Sequence, residues 1–221
     1  MLKLYYQPIS FNSRRVWIAL LEKQLEFELI EMQLDGDQFQ PEFLALNPFH
    51  HIPVLVDDDF SIIESLAILD YLEAKYPTPA LLPTEAKALA TTRMVEMVTI
   101  NELAPAMNPL VYQMMELSSP KAEEIELTKQ KIATVLKFFE QLLGDKLFIA
   151  GEQLSLGDIV AGCAVPVLPI LGVSLTDYPK INAWVERLMQ RSSWQITQPT
   201  PEAIEAYKVR IQALMARNDS R

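Results

Sequence analysis

Ser10, Asn12 and Ser13 stand just before a run with apolar residues at helical spacing, Val16, Ile18, Ala19 and Leu20. All three are residue types that cap helix N-termini, where a side-chain oxygen takes up one of the orphan backbone N–H groups. Capping alone accounts for any one of them. Together they also bring hydroxyls, free N–H groups and the positive end of a helix to one point, and such a point stabilises an anion, a thiolate included. Which of the three would meet the anion stays open at the level of sequence.

Two further segments extend this chemistry. In Asn47-Pro48-Phe49-His50-His51-Ile52-Pro53-Val54 a proline immediately precedes an apolar strand. It either opens an edge strand or forms a cis Ile52–Pro53 bond, in which case Ile52 would offer its N–H and C=O to an extended peptide. In Ile63-Glu64-Ser65-Leu66-Ala67-Ile68, Ser65 reads as the N-cap of the next helix. A carboxylate beside that cap suits an α-amino group, and the cap N–H groups suit the neighbouring α-carboxylate, so the pair would hold a free amino-acid end.

Other candidates read as structure. Ser155-Leu156-Gly157-Asp158 fits a variant capping box ahead of Ile159-Val160-Ala161. The methionines Met94, Met97, Met107, Met114 and Met115 are core residues first, though methionine also suits adaptable apolar pockets. His50 and His51 are the only histidines and Cys163 the only cysteine, so no metal site is expected and no intrachain disulfide can form.

The elements that must position these residues change character along the chain. Leu2 to Tyr6 is a strand, Ser13 to Lys23 an amphipathic helix, and Phe27 to Glu31 a second strand with period-two alternation, which together make a parallel βαβ unit. Pro41 to Leu46 is a short helix with proline in its first turn. Val54–Val56 and Phe60–Ile62 form a hairpin around Asp57-Asp58-Asp59, and Ser65 to Lys75 is a helix stopped at Tyr76-Pro77. This order predicts a four-stranded mixed sheet within residues 1–77. Thr78 to Pro83 reads as a linker. Beyond it only helices are expected, over 84–221: Thr84–Leu117, kinked or broken by Pro105 and Pro109, then Lys121–Leu143, Ser155–Leu168, Lys180–Gln190 and Pro201–Ala216.

Composition bounds the partners. Half the residues are hydrophobic and the formal net charge is −10, which disfavours nucleic acid and anionic membrane surfaces. The N-terminal MLKLYYQPIS has no apolar signal core. The longest apolar stretch, Cys163–Leu175, is interrupted by Pro166, Pro169 and Gly172 and falls short of the about 20 residues a bilayer requires. A reduced, cytoplasmic setting is expected.

The order and spacing of these motifs resemble the glutathione transferase family over nearly the whole chain, closest to its serine-type classes such as phi and theta. The residues that carry the resemblance are Ser10 to Val16, Asn47-Pro48-Phe49 with Ile52-Pro53, Glu64-Ser65 with Ala67-Ile68 and Tyr71-Leu72, and the Ser155–Asp158 cap. The resemblance implies a thioredoxin-like α/β domain (1–77) that binds glutathione and an all-α domain (84–221) that builds the electrophile site. It further implies that Ser10 stabilises the thiolate, that Ile52 ahead of cis Pro53 meets the cysteinyl part, and that Glu64 and Ser65 hold the γ-glutamyl end. Gln38 falls near the glycyl carboxylate, and His51 stands where Gln or Lys is usual. Phe39 departs from a place that is often basic. No cysteine lies near Ser10, so the cysteine-type classes fit badly, and Ser10-Phe11-Asn12 departs from the Ser-Ser-Cys of the zeta isomerases.

By the same resemblance, Phe11, Met107, Val111, Tyr112 and Met115 are the candidates for the electrophile site. The expected function is conjugation of glutathione, as co-substrate, to small apolar electrophiles in detoxification, by a homodimer without metal, nucleic acid or membrane. The alternatives are a ligand-binding or assembly module on the same fold, and a glutathione-dependent peroxidase or reductase.

Overall fold

The computed structural model describes residues 1–219. Strands β1 (Leu2–Tyr6), β2 (Phe27–Glu31), β3 (Val54–Asp57) and β4 (Phe60–Ile63) form one sheet in the order β2-β1-β3-β4. The β1–β2 pair is parallel, as the intervening helix α1 (Phe11–Glu22) requires, and β1–β3 and β3–β4 are antiparallel. β1 buries alternate residues, Leu2, Leu4 and Tyr6. Helices α1 and α3 (Ser65–Lys75) pack together, with Ile18, Leu20, Ile68, Leu69 and Leu72 fully buried. A second cluster gathers Met32, Phe43 of α2 (Pro41–Leu46) and Val54, with Ile52 packed against it.

The chain then runs through α4 (Ala86–Val98), a π turn at Thr99–Leu103, α5 (Ala104–Met114), α6 (Ala122–Leu143), α7 (Leu156–Ala164), α8 (Pro179–Met189), α9 (Ser192–Thr197) and α10 (Pro201–Asp219). The expected break near Pro105 is the π turn, after which Pro105 enters the first turn of α5, where a missing N–H costs nothing. Pro109 lies inside α5. Helix α9 was not expected: six residues, Ser-Ser-Trp-Gln-Ile-Thr, are too few to show a period. Beyond residue 90 no described residue joins the sheet; Phe148 and Gly151 form an isolated bridge.

By packing, the chain divides into two compact units. One comprises Met1–Pro79 together with the segment from Ser193 onward, and the other Ala80–Ser192. The last helical segment thus groups with the sheet unit, whereas the division drawn from element type had placed it in 84–221. Its ties are visible as hydrogen bonds: Arg210 Nη1 donates to the Gln33 carbonyl at 2.7 Å, and Ser193 Oγ donates to Glu22.

The ends of the elements have identifiable locks. Lys23, at the C-cap of α1, has a fully buried ammonium that pairs with Glu73 at 2.5 Å and donates to the Tyr76 and Pro79 carbonyls at 2.7 and 2.9 Å. It thereby ties α1 to the exit of α3. Thr78–Pro79 is a second cis bond that spacing did not reveal. In the helical unit the Ser155–Asp158 capping box is formed, and the buried Asp158 carboxylate also accepts from Ile149 N (2.8 Å) and Trp184 Nε1 (2.9 Å).

Candidate functional site

The loop between β1 and α1 is held by its own polar groups. Ser10 N donates to the Gln7 carbonyl at 3.0 Å, and Ile9 N donates to the Gln7 side-chain carbonyl at 2.8 Å. Gln7 is buried, a role its sequence position did not announce. Helix α1 starts at Phe11, two residues earlier than its apolar period suggests, and Ser10 is its N-cap. Ser10 Oγ accepts from Ser13 N at 3.3 Å, and the Ser10 carbonyl accepts from Arg14 N at 2.9 Å. A hydroxyl has one donor and two acceptor sites, so a Ser10 Oγ that accepts from the helix still has its proton to give. Asn12 is exposed, while Ser13 is fully buried and its Oγ accepts from Gln7 N at 3.3 Å. The first turn of α1 contains no acidic residue. At the end of β1, Tyr6 lies edge-on to Trp17, and burial, helped by the Glu31 charge, raises its phenol above the ordinary range, so it keeps its proton.

Asn47 organises the second segment. It is buried; its Nδ2 donates to the His51 carbonyl at 2.8 Å and its Oδ1 accepts from Phe49 N at 3.0 Å. His50 takes a left-handed conformation, φ +50°, and His51 is exposed. The Ile52–Pro53 bond is cis, the sharper of the two sequence readings of Pro53. Gln38 lies in a short 3-10 turn, Asp37–Phe39, and its Oε1 accepts from Gly36 N at 3.0 Å. The turn is set by Asp37, whose carboxylate accepts from Gln33 N and Leu34 N. Phe39 is exposed and its ring meets His50, with centroids 5.0 Å apart.

The third segment corrects an expectation. Ser65 is not the N-cap of α3 but its first residue, and Glu64 occupies the cap with φ +66°. A β-carbon makes that left-handed conformation unfavourable outside a special local setting, so the backbone rather than a capping hydroxyl turns the chain here. Glu64 is exposed; Ser65 is buried and its Oγ accepts from Arg15 Nη1 at 3.3 Å. The arginine pair Arg14 and Arg15, both buried, was legible only as two charges inside an apolar period.

Of the remaining candidates, Phe11 opens α1 and is half-buried. On and after α5, Met107 and Met115 are buried, Val111 is half-buried and Tyr112 is exposed. Among the described residues no group of three or more His, Cys, Asp or Glu side chains is placed to hold a metal ion. No helix among them is long and apolar enough to cross a membrane.

The sheet unit thus carries a hydroxyl-capped helix, a cis X–Pro turn and an acidic residue at the start of the next helix. Residues 4–80 match the family model "Glutathione S-transferase, N-terminal domain" and residues 102–192 match "Glutathione S-transferase, C-terminal domain". The chain is 35% identical to Glutathione S-transferase 3 of Zea mays over 207 residues, covering 89% of this chain and 92% of that one. Among solved structures, a delta-class glutathione transferase of Nilaparvata lugens superposes with a TM-score of 0.82 at 26% identity, covering 97% of this chain and all of that one. Glutathione transferase F7 of Populus trichocarpa gives 0.79 at 29% identity, covering 92% of this chain and 99% of that one. The chain belongs to the glutathione S-transferase family.

Proposed function

We propose that the protein is a glutathione transferase that directs the glutathione thiolate at small apolar electrophiles, with Ser10 as the residue that holds the thiolate. The observation that carries this reading is the geometry at Ser10. Its Oγ uses a lone pair to cap α1, which leaves the O–H to donate outward at the positive end of the helix. Asn12 and Ser13 are less suited: one is exposed, and the other is sealed inside with its oxygen accepting from Gln7.

The rest of the tripeptide follows in the same reading. The backbone of Ile52, beside cis Pro53, pairs with the cysteinyl residue. Glu64 takes the α-amino group and the N-terminal turn of α3, from Ser65, takes the γ-glutamyl carboxylate. Gln38 and His51 are assigned to the glycyl end. Phe11, Met107, Val111, Tyr112 and Met115 are assigned to the electrophile, an apolar site that tolerates many small molecules, since one methylene changes discrimination by only about 1–3 kcal/mol. The protein acts in detoxification, in the cytoplasm, as a twofold homodimer. Apolar side chains left exposed on each unit, Phe49 and Phe60 on one and Met94 and Met97 on the other, are the kind of surface such a dimer would cover.

The test is capture on immobilised glutathione followed by conjugation of an activated haloarene with and without glutathione. Retention with glutathione-dependent conjugation supports the reading. Retention without conjugation makes the protein a binding module, and peroxide turnover in place of conjugation makes it a peroxidase.

A further inference from the structure

Arg210 turns inward to a distant loop. From α10 its Nη1 donates to the Gln33 carbonyl at 2.7 Å, across 177 residues of chain. The segment from Ser193 onward packs with the sheet unit, so this contact lies within one compact unit. The side chain is half-buried. An arginine carries five N–H donors in a planar fork that matches a carboxylate, and one backbone carbonyl occupies a single donor. Among the described residues no carboxylate pairs with Arg210. Its own helix offers none at neighbouring positions: those three and four away are Ala206, Tyr207, Ala213 and Leu214.

Gln33 lies just past β2, which runs parallel beside β1 with Tyr6 opposite Glu31. Met32 N donates to the Tyr6 carbonyl at 2.8 Å, so the chain leaves β2 beside the start of the Gln7–Ser10 loop. Open α/β sheets bind ligands outside the carboxyl ends of their parallel strands. Gln33 is also locked to the turn that follows. Gln33 N and Leu34 N donate to the Asp37 carboxylate at 2.6 and 2.9 Å, and Gln33 Nε2 donates to Glu31 at 3.2 Å. Asp37 opens the 3-10 turn that carries Gln38 and Phe39, and the Phe39 ring meets His50, two residues before Ile52. Arg210 is thereby tied to the turn assigned to the glycyl end of glutathione. That end is a carboxylate, and the surrounding sequence holds no permanent cation for it. Between Lys23 and Lys75 there is no lysine or arginine, and His50 and His51, both exposed, are the only basic side chains.

We propose that Arg210 completes the glutathione site from the last helix, its remaining N–H donors binding the glycyl carboxylate beside Gln38. This rests on the reading of the sheet unit as a glutathione site and adds to it a residue from the far end of the chain. The bond to Gln33 holds the guanidinium in place before the ligand arrives, so less side-chain freedom is lost on binding.

The experiment measures Kd by titration calorimetry for glutathione and for its glycyl ethyl ester, which differs only in the masked carboxylate, in wild type, Arg210→Gln and Arg210→Lys. Wild type binds the ester about tenfold more weakly than glutathione. Arg210→Gln loses most of that preference by weakening glutathione and leaving the ester as it was. Arg210→Lys keeps part of it, because lysine retains the charge without the fork. In a second arm, the relative rates of conjugation of a carboxylate-bearing and a neutral haloarene are the same in wild type and Arg210→Gln. A wild type indifferent to the ester overturns the proposal. So do equal losses for glutathione and ester in Arg210→Gln, which make Arg210 a support for the turn, and an Arg210→Gln chain that fails to fold, which makes the contact part of the fold. A changed haloarene ratio with the ester preference intact overturns it in favour of a carboxylate on the second substrate. A wild type with no affinity for glutathione or its ester instead removes the glutathione reading on which the proposal rests.

Discussion

At the scale of single residues, two backbone facts concern the groups proposed to bind glutathione. Ser10 caps α1, and Glu64 occupies the N-cap of α3 at φ +66° with its side chain exposed. Glu64 touches the amino end of glutathione in the proposed complex, far along the tripeptide from the reacting sulfur. Its contribution is therefore the same in ground and transition states. Glu64→Ala raises KM for glutathione more than it lowers kcat, a pattern steady-state kinetics with varied glutathione resolves. A fall in kcat at unchanged KM would place Glu64 in the chemistry instead. The segments around Ser10, Ile52-Pro53 and Glu64 were legible from residue types and spacing, whereas the roles assigned to them came from the family resemblance. The supporting cast was not. Gln7, Asn47 and Asp37 organise the three loops through side-chain-to-backbone hydrogen bonds, and such bonds depend on where a loop folds back, which local pattern does not encode. The capping of α3 was misread for a related reason: serine is so good a cap that its type alone outweighed the possibility of a glutamate in a left-handed turn.

At the scale of elements, periodicity placed the four strands and most helices, because each buries one face against a neighbour. What it could not show is how closely two helices approach. Gly157, in the first turn of α7, lies against α4: an added β-carbon would sit 3.1 Å from the Thr92 carbonyl oxygen and 3.2 Å from Thr92 Cα. These are backbone atoms and cannot rotate away. Gly157→Ala therefore destabilises the protein by about 1–3 kcal/mol, measured by chemical denaturation, despite alanine's better helix propensity. A neutral or stabilising result would mean that the α4–α7 contact relaxes freely. A second element-level lock joins β3 to α3. The Asp57 carboxylate accepts from Lys75 Nζ and from Tyr71 OH, the latter at 2.7 Å, and these bonds hold its pKa below the ordinary carboxylate range. A depressed folded-state pKa contributes stability that is present above the unfolded value, about 3.9, and is lost as pH falls through the folded one. Asp57→Asn is thus less stable than wild type near neutral pH, and the gap narrows as pH drops below about 4. Melting temperatures across that range check it; a gap that widens in acid contradicts the sign.

At the scale of the whole molecule, the family assignment, the two packed units and the motif order point to one reading, a glutathione transferase. The sheet unit and the helical unit were distinguishable in sequence by a change from mixed to purely helical grammar after Pro83. The grouping of the last helix with the sheet unit was not, because ties such as Arg210 to the Gln33 carbonyl span most of the chain. Assembly belongs to this scale too. A twofold dimer that buries at least about 1,000 Å² sediments as a dimer at micromolar concentration, and a monomer there would remove that part of the proposal. The central claim, however, is that a hydrogen bond from Ser10 makes the thiolate, with no general base. One hydrogen bond to a charged sulfur is worth about 1.5–3 kcal/mol and the helix end about 0.3–1 kcal/mol, enough to lower a thiol pKa by about two units at about 1.4 kcal/mol each. The direct measurement is kcat/KM against pH for wild type, Ser10→Ala, Asn12→Ala and Ser13→Ala. Ser10→Ala loses about ten- to a hundredfold near pH 6.5, and the loss shrinks at high pH where the thiol ionises unaided. A pH-independent loss at Ser10, or the pH-dependent loss appearing in Asn12→Ala or Ser13→Ala while Ser10→Ala stays near wild type, would contradict the account.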